Sequence, residues 1–210
     1  MIRVLRRYSG IYFTFFMRNS RISNMVIDFH THIFNDQLAP KARAALINNS
    51  HGAYKHCTDM TRSGLLAYMD AHGIDKSVVL SIATKPTQVG KINAWAEEIN
   101  DDRLIAFGAV YPLGEDWKRD IDDVVARGLK GIKLHPEYQR FYVDDESVLP
   151  LYDYAFSKGL IVLWHAGYDP VGIPPYRSSP RRFAALADRY DGAKMVVAHL
   201  GGQEQWVETA

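Results

Sequence analysis

Five of the eight histidines in this sequence follow short apolar runs, a placement that would let them act at one site. His30 and His32 are separated by one residue, and side chains two apart on a strand project from the same face. His135, His165 and His199 recur 30 and 34 residues apart, which is close to the length of about 30 residues in one strand–helix–strand unit. Neutral imidazole commonly binds zinc and related ions, so histidines gathered at one rim predict a metal site.

The position of each histidine suggests its role. His30, His32 and His165 are predicted to bind one divalent metal, because three converging imidazoles without an ion would form a costly buried polar cluster. His199 is expected to hydrogen-bond substrate or bound water, or to bind a second ion. Asp28 lies two residues before His30 and deeper on the same strand face, so we expect it to contact the ligands rather than the metal.

Two further residues are predicted to bind substrate. Lys133 and His135 share a strand face, so both are expected to point toward the same rim as the other histidines. For Lys133, contact with a substrate or carboxylate is weighed equally against a side chain that reaches past the strand end into solvent. His51, His56 and His72 fall in a long connection or on a helix, where exposure is the expected state.

The elements that must position these residues alternate along the chain. Apolar runs typical of buried parallel strands occupy residues 25–29, 77–82, 104–110, 129–134, 160–164 and 194–198. Amphipathic segments of helical length lie between them, at residues 62–72, 91–99, 117–127, 147–158 and 179–190. This alternation predicts an α/β fold of the (β/α)8 TIM-barrel family, in which active sites lie at the carboxyl ends of the strands.

The length of the sequence bears on how much of the barrel it contains. An eight-stranded barrel takes about 250 residues, whereas this sequence has 210 residues and six predicted strands. We therefore predict a barrel truncated after its sixth strand, with the first and sixth strands as open edges.

The barrel is assigned to residues 25–210, and residues 1–24 to an N-terminal extension outside it. Met25 is followed at once by a strand-like run and fits a translation start, with a targeting peptide as the alternative explanation of the extension. Residues 35–61 are predicted to form a loop over the barrel mouth.

Composition argues against several classes of partner. Lys and Arg number 25 against 24 Asp and Glu, and no long basic run offers a binding surface for nucleic acid or anionic lipid. No apolar stretch reaches the roughly 20 residues of a membrane-spanning helix. The single cysteine excludes an internal disulfide and a Cys-rich zinc module, which suits a cytoplasmic protein whose metal is held by His and carboxylates. A small molecule is the expected substrate, and a homodimer remains open.

Four motifs carry a family resemblance: Asp28-Phe-His-Thr-His-Ile-Phe34, Gly131-Ile-Lys-Leu-His-Pro136, His165-Ala-Gly167 and Ala198-His-Leu-Gly-Gly202. Together they resemble the amidohydrolase superfamily, and specifically its amidohydrolase-related branch, which includes aminocarboxymuconate-semialdehyde decarboxylase. The resemblance extends from residue 25 to the C-terminus, and it implies that the three predicted ligands hold zinc, with manganese as the alternative. It also implies that His199 orients or activates the metal-bound water. The family's aspartate at the end of the eighth strand has no counterpart in the sequence.

The resemblance implies a metal-dependent hydrolase that activates water to cleave a small carboxylic ester, lactone or amide. The first alternative is non-oxidative decarboxylation of a small carboxylic acid, because the branch contains decarboxylases with nearly the same ligands. The second is an inactive, truncated remnant that binds metal or a partner only. A metal-dependent deoxyribonuclease barrel also begins with His-x-His, but the sequence has neither a Gly-Glu-x-Gly motif nor a basic groove.

Overall fold

The centre of the fold is a six-stranded parallel sheet. A computed structural model describes residues 2–6, 12–16, 25–52, 55–170, 172 and 174–209. The strands of the sheet follow one another in sequence order, from β3 at one edge to β8 at the other. A separate antiparallel pair is formed by Ile2–Arg6 (β1) and Tyr12–Phe16 (β2). Among the described residues, none of the helices has the length and apolar character needed to cross a lipid bilayer.

Strands and helices alternate through the sheet. The strands are β3 (Ile27–Thr31), β4 (Lys76–Leu80), β5 (Leu104–Ala109), β6 (Gly131–Leu134), β7 (Ile161–Trp164) and β8 (Met195–Val197). The helices are α1 (Ala39–Asn49), α2 (Arg62–His72), α3 (Val89–Ile99), α4 (Trp117–Ala126), α5 (Pro136–Gln139), α6 (Leu149–Ser157), α7 (Pro180–Arg189) and α8 (Trp206–Thr209). The α/β fold of the TIM-barrel family is confirmed, with six strands in an open sheet.

Helix α2 illustrates how the sequence sets the boundaries of these elements. The Thr61 side chain accepts a hydrogen bond from the Gly64 backbone N–H and so caps the start of the helix. Gly73 ends it in the left-handed conformation, with φ at 67°, which glycine adopts without a steric penalty. The helix predicted over residues 62–72 is therefore confirmed at both ends.

The sheet has two apolar faces. On the outer face, strand residues such as Val79, Ile132 and Val162 pack in one cluster with side chains of the helices. The inner face carries a second cluster, which comes from the strands and their ends and buries Val78, Leu80, Phe107, Leu163 and Ala198. Filling by inward-pointing apolar side chains is typical of a barrel interior, so the rim that carries the predicted site lies above this inner face.

An irregularity in β3 decides which face its histidines occupy. Pairing with β4 shifts between Asp28 and Thr31, where three steps along β3 match two along β4. Phe29 makes an edge-to-face contact with Phe107 of the inner cluster, at a centroid distance of 6.1 Å. Because side chains alternate along a regular strand, His30 would then point to the outer face. The extra residue in β3 turns it to the inner face instead. Bulges of this kind commonly re-aim a side chain beside a functional site.

Two predictions about the first unit are wrong. The first strand is predicted over residues 25–29 but begins at Ile27 and runs to Thr31, so that His30 lies within it. Residues 35–61 are not a continuous loop, because α1 occupies Ala39–Asn49. A proline in the first turn and several alanines favour this helix. It buries little of its surface, so no clear apolar periodicity marks it in the sequence.

Candidate metal centre

Four histidines meet at the carboxyl ends of β3, β7 and β8 as two close pairs. Nε2 of His30 lies 3.1 Å from Nε2 of His32, and Nε2 of His199 lies 3.1 Å from Nδ1 of His165. The pairs adjoin, because the ring centroids of His30 and His199 are 4.9 Å apart. The structure thus brings together the three predicted ligands and the predicted catalytic histidine, while their roles remain predictions.

Backbone carbonyls fix the tautomers of two of these rings. Nδ1 of His32 lies 2.7 Å from the Leu80 carbonyl oxygen, which can only accept, so Nδ1 carries the proton. Nε2 of His165 donates in the same way to the Tyr168 carbonyl oxygen at 3.2 Å. The free lone pairs therefore lie on Nε2 of His32 and Nδ1 of His165, which face the neighbouring histidines. A backbone acceptor behind the ring is the usual support of a metal-binding histidine, so these donors fit a divalent ion.

Burial keeps these histidines neutral. Desolvation, followed by the positive charge of Lys133, lowers the pKa of His32 to about 4 and that of His165 to about 3. The same two causes lower the pKa of His199 to about 4 and hold the pKa of His30 far below its usual value. Metal binding requires unprotonated imidazole nitrogens, which this cluster offers at neutral pH.

Lys133 is buried on β6 and does not reach solvent. The residue has 0% of its surface exposed, and among the described residues its Nζ has no hydrogen-bond partner. Desolvation lowers its pKa from 10.5 to about 7. The expectation of a lysine that extends past the strand end into solvent is therefore wrong, because the inner face closes around the side chain. Substrate binding by Lys133 remains a prediction.

The chain at His199 is held in an uncommon conformation. φ is 58° at His199 and 55° at Leu200, in the left-handed region that residues other than glycine rarely adopt. The His199 carbonyl accepts hydrogen bonds from the Gly202 backbone N–H at 3.2 Å and from Nε1 of Trp206 at 2.9 Å. Backbone strain of this kind is concentrated at functional sites, and here it accompanies a ring turned toward His165.

A third group at this rim includes a carboxylate that sequence reasoning missed. Among the described residues, His135, His165 and Asp169 are buried and have their ligand atoms all within 4.8 Å of one another, so they could hold a metal ion. The ligand atoms of the predicted ligands His30, His32 and His165 do not all lie within 4.8 Å of one another. Asp169 follows His165 by four residues, and a carboxylate so close to a strand end is the signal that could have found it.

His135 lies within a stack of three rings. Its centroid is 3.9 Å from that of Tyr138 and 4.1 Å from that of His165, with interplanar angles of 10° and 9°. Both faces of the imidazole are therefore covered, so a substrate could contact only its edge. Burial lowers the pKa of His135 well below its usual value. Its predicted role in substrate binding stays a prediction.

The remaining predicted residues have structural contacts. Asp28 accepts a hydrogen bond from the backbone N–H of His30 at 3.1 Å, so the contact described for it is with the bulged strand rather than with an imidazole ring. His72 is exposed and stacks on Tyr68 at a centroid distance of 4.0 Å, as expected for a histidine on a helix surface. His51 is exposed and His56 is partly buried.

The fold and the histidine rim define the class of protein: a (β/α)-barrel protein with a histidine cluster at the carboxyl ends of its strands. The sequence profile described as Amidohydrolase matches residues 27–210, which is most of the chain. The chain belongs to the amidohydrolase family. No curated protein matches it by sequence.

Solved structures with a similar fold include two decarboxylases and a hydrolase. The 5-carboxyvanillate decarboxylase of Novosphingobium aromaticivorans, with bound manganese and 3-methoxy-4-hydroxy-5-nitrobenzoic acid, has a TM-score of 0.64 at 18% identity, covering 85% of this chain and 67% of that one. The dihydroxybenzoic acid decarboxylase of Polaromonas sp., with manganese and the inhibitor 2-nitroresorcinol, has a TM-score of 0.60 at 16% identity, covering 85% and 66%.

The third is a probable 2-pyrone-4,6-dicarboxylic acid hydrolase of Acinetobacter baumannii with citric acid bound. Its TM-score is 0.50 at 17% identity, and the match covers 84% of this chain and 58% of that one. At these identities the likeness concerns the fold. The chain spans less than two thirds of the Polaromonas and Acinetobacter proteins, so the activity of the whole protein is a matter of proposal.

Proposed function

We propose that the chain carries the site of a metal-dependent decarboxylase that acts on a small carboxylic acid. The observation that carries the proposal is Lys133, a fully buried amine without a hydrogen-bond partner among the described residues, beside a cluster of neutral histidines. A buried polar group costs free energy unless a partner satisfies it. A substrate carboxylate would be such a partner, because it brings an anion to a cationic group in a dry site.

The fold neighbours favour decarboxylation over the hydrolysis that the family resemblance first implies. Two of the three are decarboxylases of aromatic acids, and both were solved with manganese. We therefore propose an aromatic carboxylic acid as the substrate class, and manganese beside zinc as the metal. The support is an analogy of fold, so the test below compares the two reactions directly.

His30, His32 and His165 would hold the metal, with Nε2 of His32 and Nδ1 of His165 as the donors that the backbone leaves free. When bound, the ion supplies a positive charge that polarises a substrate oxygen. The chain supplies the orientation: the substrate carboxylate pairs with Lys133, and the apolar inner face below excludes water from the reacting carbon.

Decarboxylation also requires a proton. The carbon–carbon bond breaks, carbon dioxide leaves, and the electron pair that stays on the substrate carbon must take up a proton. Lys133 and His199 are the residues proposed to carry it. Because the pKa of Lys133 is lowered to about 7, its Nζ is partly protonated near neutral pH and can donate that proton to the substrate carbon.

Hydrolysis of a carboxylic ester, lactone or amide is the second candidate. It is favoured by the similarity to the probable 2-pyrone-4,6-dicarboxylic acid hydrolase and by the position of His199, whose Nε2 faces the cluster and could orient a water molecule. A chain that binds metal without turnover is the third possibility, and it is an outcome of the same test.

The test uses the full chain loaded with manganese or zinc and a panel of hydroxybenzoic acids, with aryl esters and lactones alongside. Carbon dioxide release is measured by a coupled assay, and hydrolysis by acid release. We expect carbon dioxide release that is abolished in the His30→Ala, His32→Ala double variant and lowered at least tenfold by Lys133→Met. The matched control is Lys130→Met, which changes an exposed lysine next to β6 and should leave the rate unchanged.

Each other outcome contradicts part of the proposal. Hydrolysis without carbon dioxide release would establish the second candidate. Bound metal without either reaction would favour the chain that binds metal only. A folded protein that binds no metal at all would refute the metalloenzyme proposal.

A further inference from the structure

The three stacked rings of Tyr138, His135 and His165 connect helix α5 to the candidate metal centre. The rings are nearly parallel, and the middle one, His135, is only 5% exposed. Three contacts orient His165. Its Nε2 donates to the Tyr168 carbonyl, one face of its ring packs against His135, and its Nδ1 lies 3.1 Å from Nε2 of His199. Those contacts decide where Nδ1 of His165 points.

Asp169 holds the other end of this stack. It is 1% exposed, its carboxylate accepts a hydrogen bond from the Tyr138 hydroxyl, and Oδ2 stands 3.6 Å from Nε2 of His135. Nδ1 of His135 faces the Tyr138 backbone N–H at 3.5 Å and acts as its acceptor, so the ring proton belongs on Nε2, toward the carboxylate. One buried carboxyl group thus faces donors on Tyr138 and on His135, the outer and the middle ring on the α5 side of the stack.

The same geometry disfavours a metal ion between His135, His165 and Asp169. A ligand nitrogen must present its lone pair in the ring plane toward the ion. The rings of His135 and His165 are parallel within 9°, so their in-plane lone pairs do not converge on one point between them. In addition, Nε2 of His135 carries a proton in the tautomer that its backbone contact favours. The carboxylate therefore has a different role.

We infer that Asp169 is a positioning residue, which holds Tyr138 and His135 in a stack that orients Nδ1 of His165 toward the metal. This inference rests on the proposed metal-binding function of His165. A buried carboxylate behind a metal-binding histidine is a common arrangement, and its removal typically costs about 10–100-fold in metal affinity. Here the carboxylate acts through one intervening ring rather than through a hydrogen bond to the ligand itself.

The experiment compares Asp169→Ala, Asp169→Asn and the control Asp188→Ala, which removes an exposed carboxylate on α7. Affinity for cobalt and zinc is measured by titration against a competing chelator. Long-range proton–nitrogen correlation spectra of the metal-free chain report the tautomer and environment of the His165 ring. Asparagine keeps the size of the side chain and one acceptor oxygen, so it separates loss of the carboxylate from loss of the acceptor and of the side-chain volume.

We expect Asp169→Ala to weaken cobalt and zinc binding by about 10–100-fold and to shift the His165 nitrogen resonances. Asp169→Asn should recover most of the affinity, and Asp188→Ala should change neither quantity. Unchanged His165 resonances in a folded Asp169→Ala protein would overturn the inference, whether or not metal is bound. Metal binding that survives His165→Ala would instead refute the proposed ligand. The two failures are therefore distinguishable.

Discussion

His32 directly follows β3, and its Nδ1 donates to the backbone carbonyl of Leu80, the last residue of β4, at 2.7 Å. Because the sheet engages one ring nitrogen, the other is left with its lone pair directed at His30. The adjoining strand thus presets a predicted ligand before any ion binds. Pre-organisation of this kind reduces the entropy lost when the metal binds.

Replacing His32 with alanine tests this relationship. Loss of a pre-set donor should weaken zinc binding on the order of 100-fold or more, beyond the effect of losing a supporting residue. A chelator-competition titration measures the change. His72→Ala serves as the control, since that histidine is exposed and stacks on Tyr68. Equal affinities in the two variants would contradict the assignment of His32.

Lys133→Met should stabilise the folded protein while lowering its proposed decarboxylase activity. Methionine has a similar length and needs no hydrogen bond, whereas the lysine has a pKa lowered from 10.5 to about 7 by desolvation. We expect the free energy of unfolding at pH 7 to rise by roughly 2–4 kcal/mol. Urea denaturation measures this, with Lys130→Met as the exposed control. A less stable Lys133→Met protein would show that the ammonium group has a partner in the fold.

Stability of the metal-free protein should fall as the pH is lowered from 7 to 5. The pKa of His165 is lowered from 6.5 to about 3. Below pH 6.5 this imidazole therefore binds a proton in the unfolded chain but not in the folded chain. The free energy of unfolding then decreases by about 1.4 kcal/mol per pH unit for this imidazole. Urea titrations at several pH values should give a shallower slope for His165→Gln. An identical slope would mean that His165 is protonated in the folded state.

Gly167→Ala should lower the free energy of unfolding by more than the strain of a positive φ alone would explain. The added Cβ would lie 2.2 Å from the backbone nitrogen of Gln203. Gly167 and Gln203 form a parallel bridge, which connects the segment that follows β7 to the segment that follows β8. Gly159→Ala is a matched control, because φ is 74° there against 83° at Gly167 and no atom lies within 4 Å of the new Cβ. We expect Gly167→Ala to lose about 1–3 kcal/mol more in unfolding free energy.

The same variant should also bind metal more weakly, because the displaced rims carry His165 and His199. Thermal or urea unfolding and the chelator titration measure the two effects on the same samples. Equal losses of stability in Gly167→Ala and Gly159→Ala would show that the segments after β7 and β8 can move apart at no cost in unfolding free energy.

The sequence by itself determined the architecture and the membership of the rim. Short continuous apolar runs rich in Val, Ile and Leu favour buried parallel strands, and glycines such as Gly73 end the helices between them. Parallel strands connected by helices share one carboxyl end, so a histidine at the end of several strands must reach one rim. This local and periodic information was enough to predict that His30, His32, His165 and His199 lie at one rim, although not which face of the sheet His30 occupies.

The tertiary structure alone decided which atoms of that rim are free and what supports them. The bulge after Asp28 turns His30 inward, because register depends on the partner strand β4 rather than on the sequence of β3. Burial of Lys133 and the stack that leads from Asp169 to His165 depend on contacts between β6, β7 and the segments that follow them. Hydrogen-bond partners and desolvation are properties of three-dimensional neighbours, so no spacing along the chain encodes them.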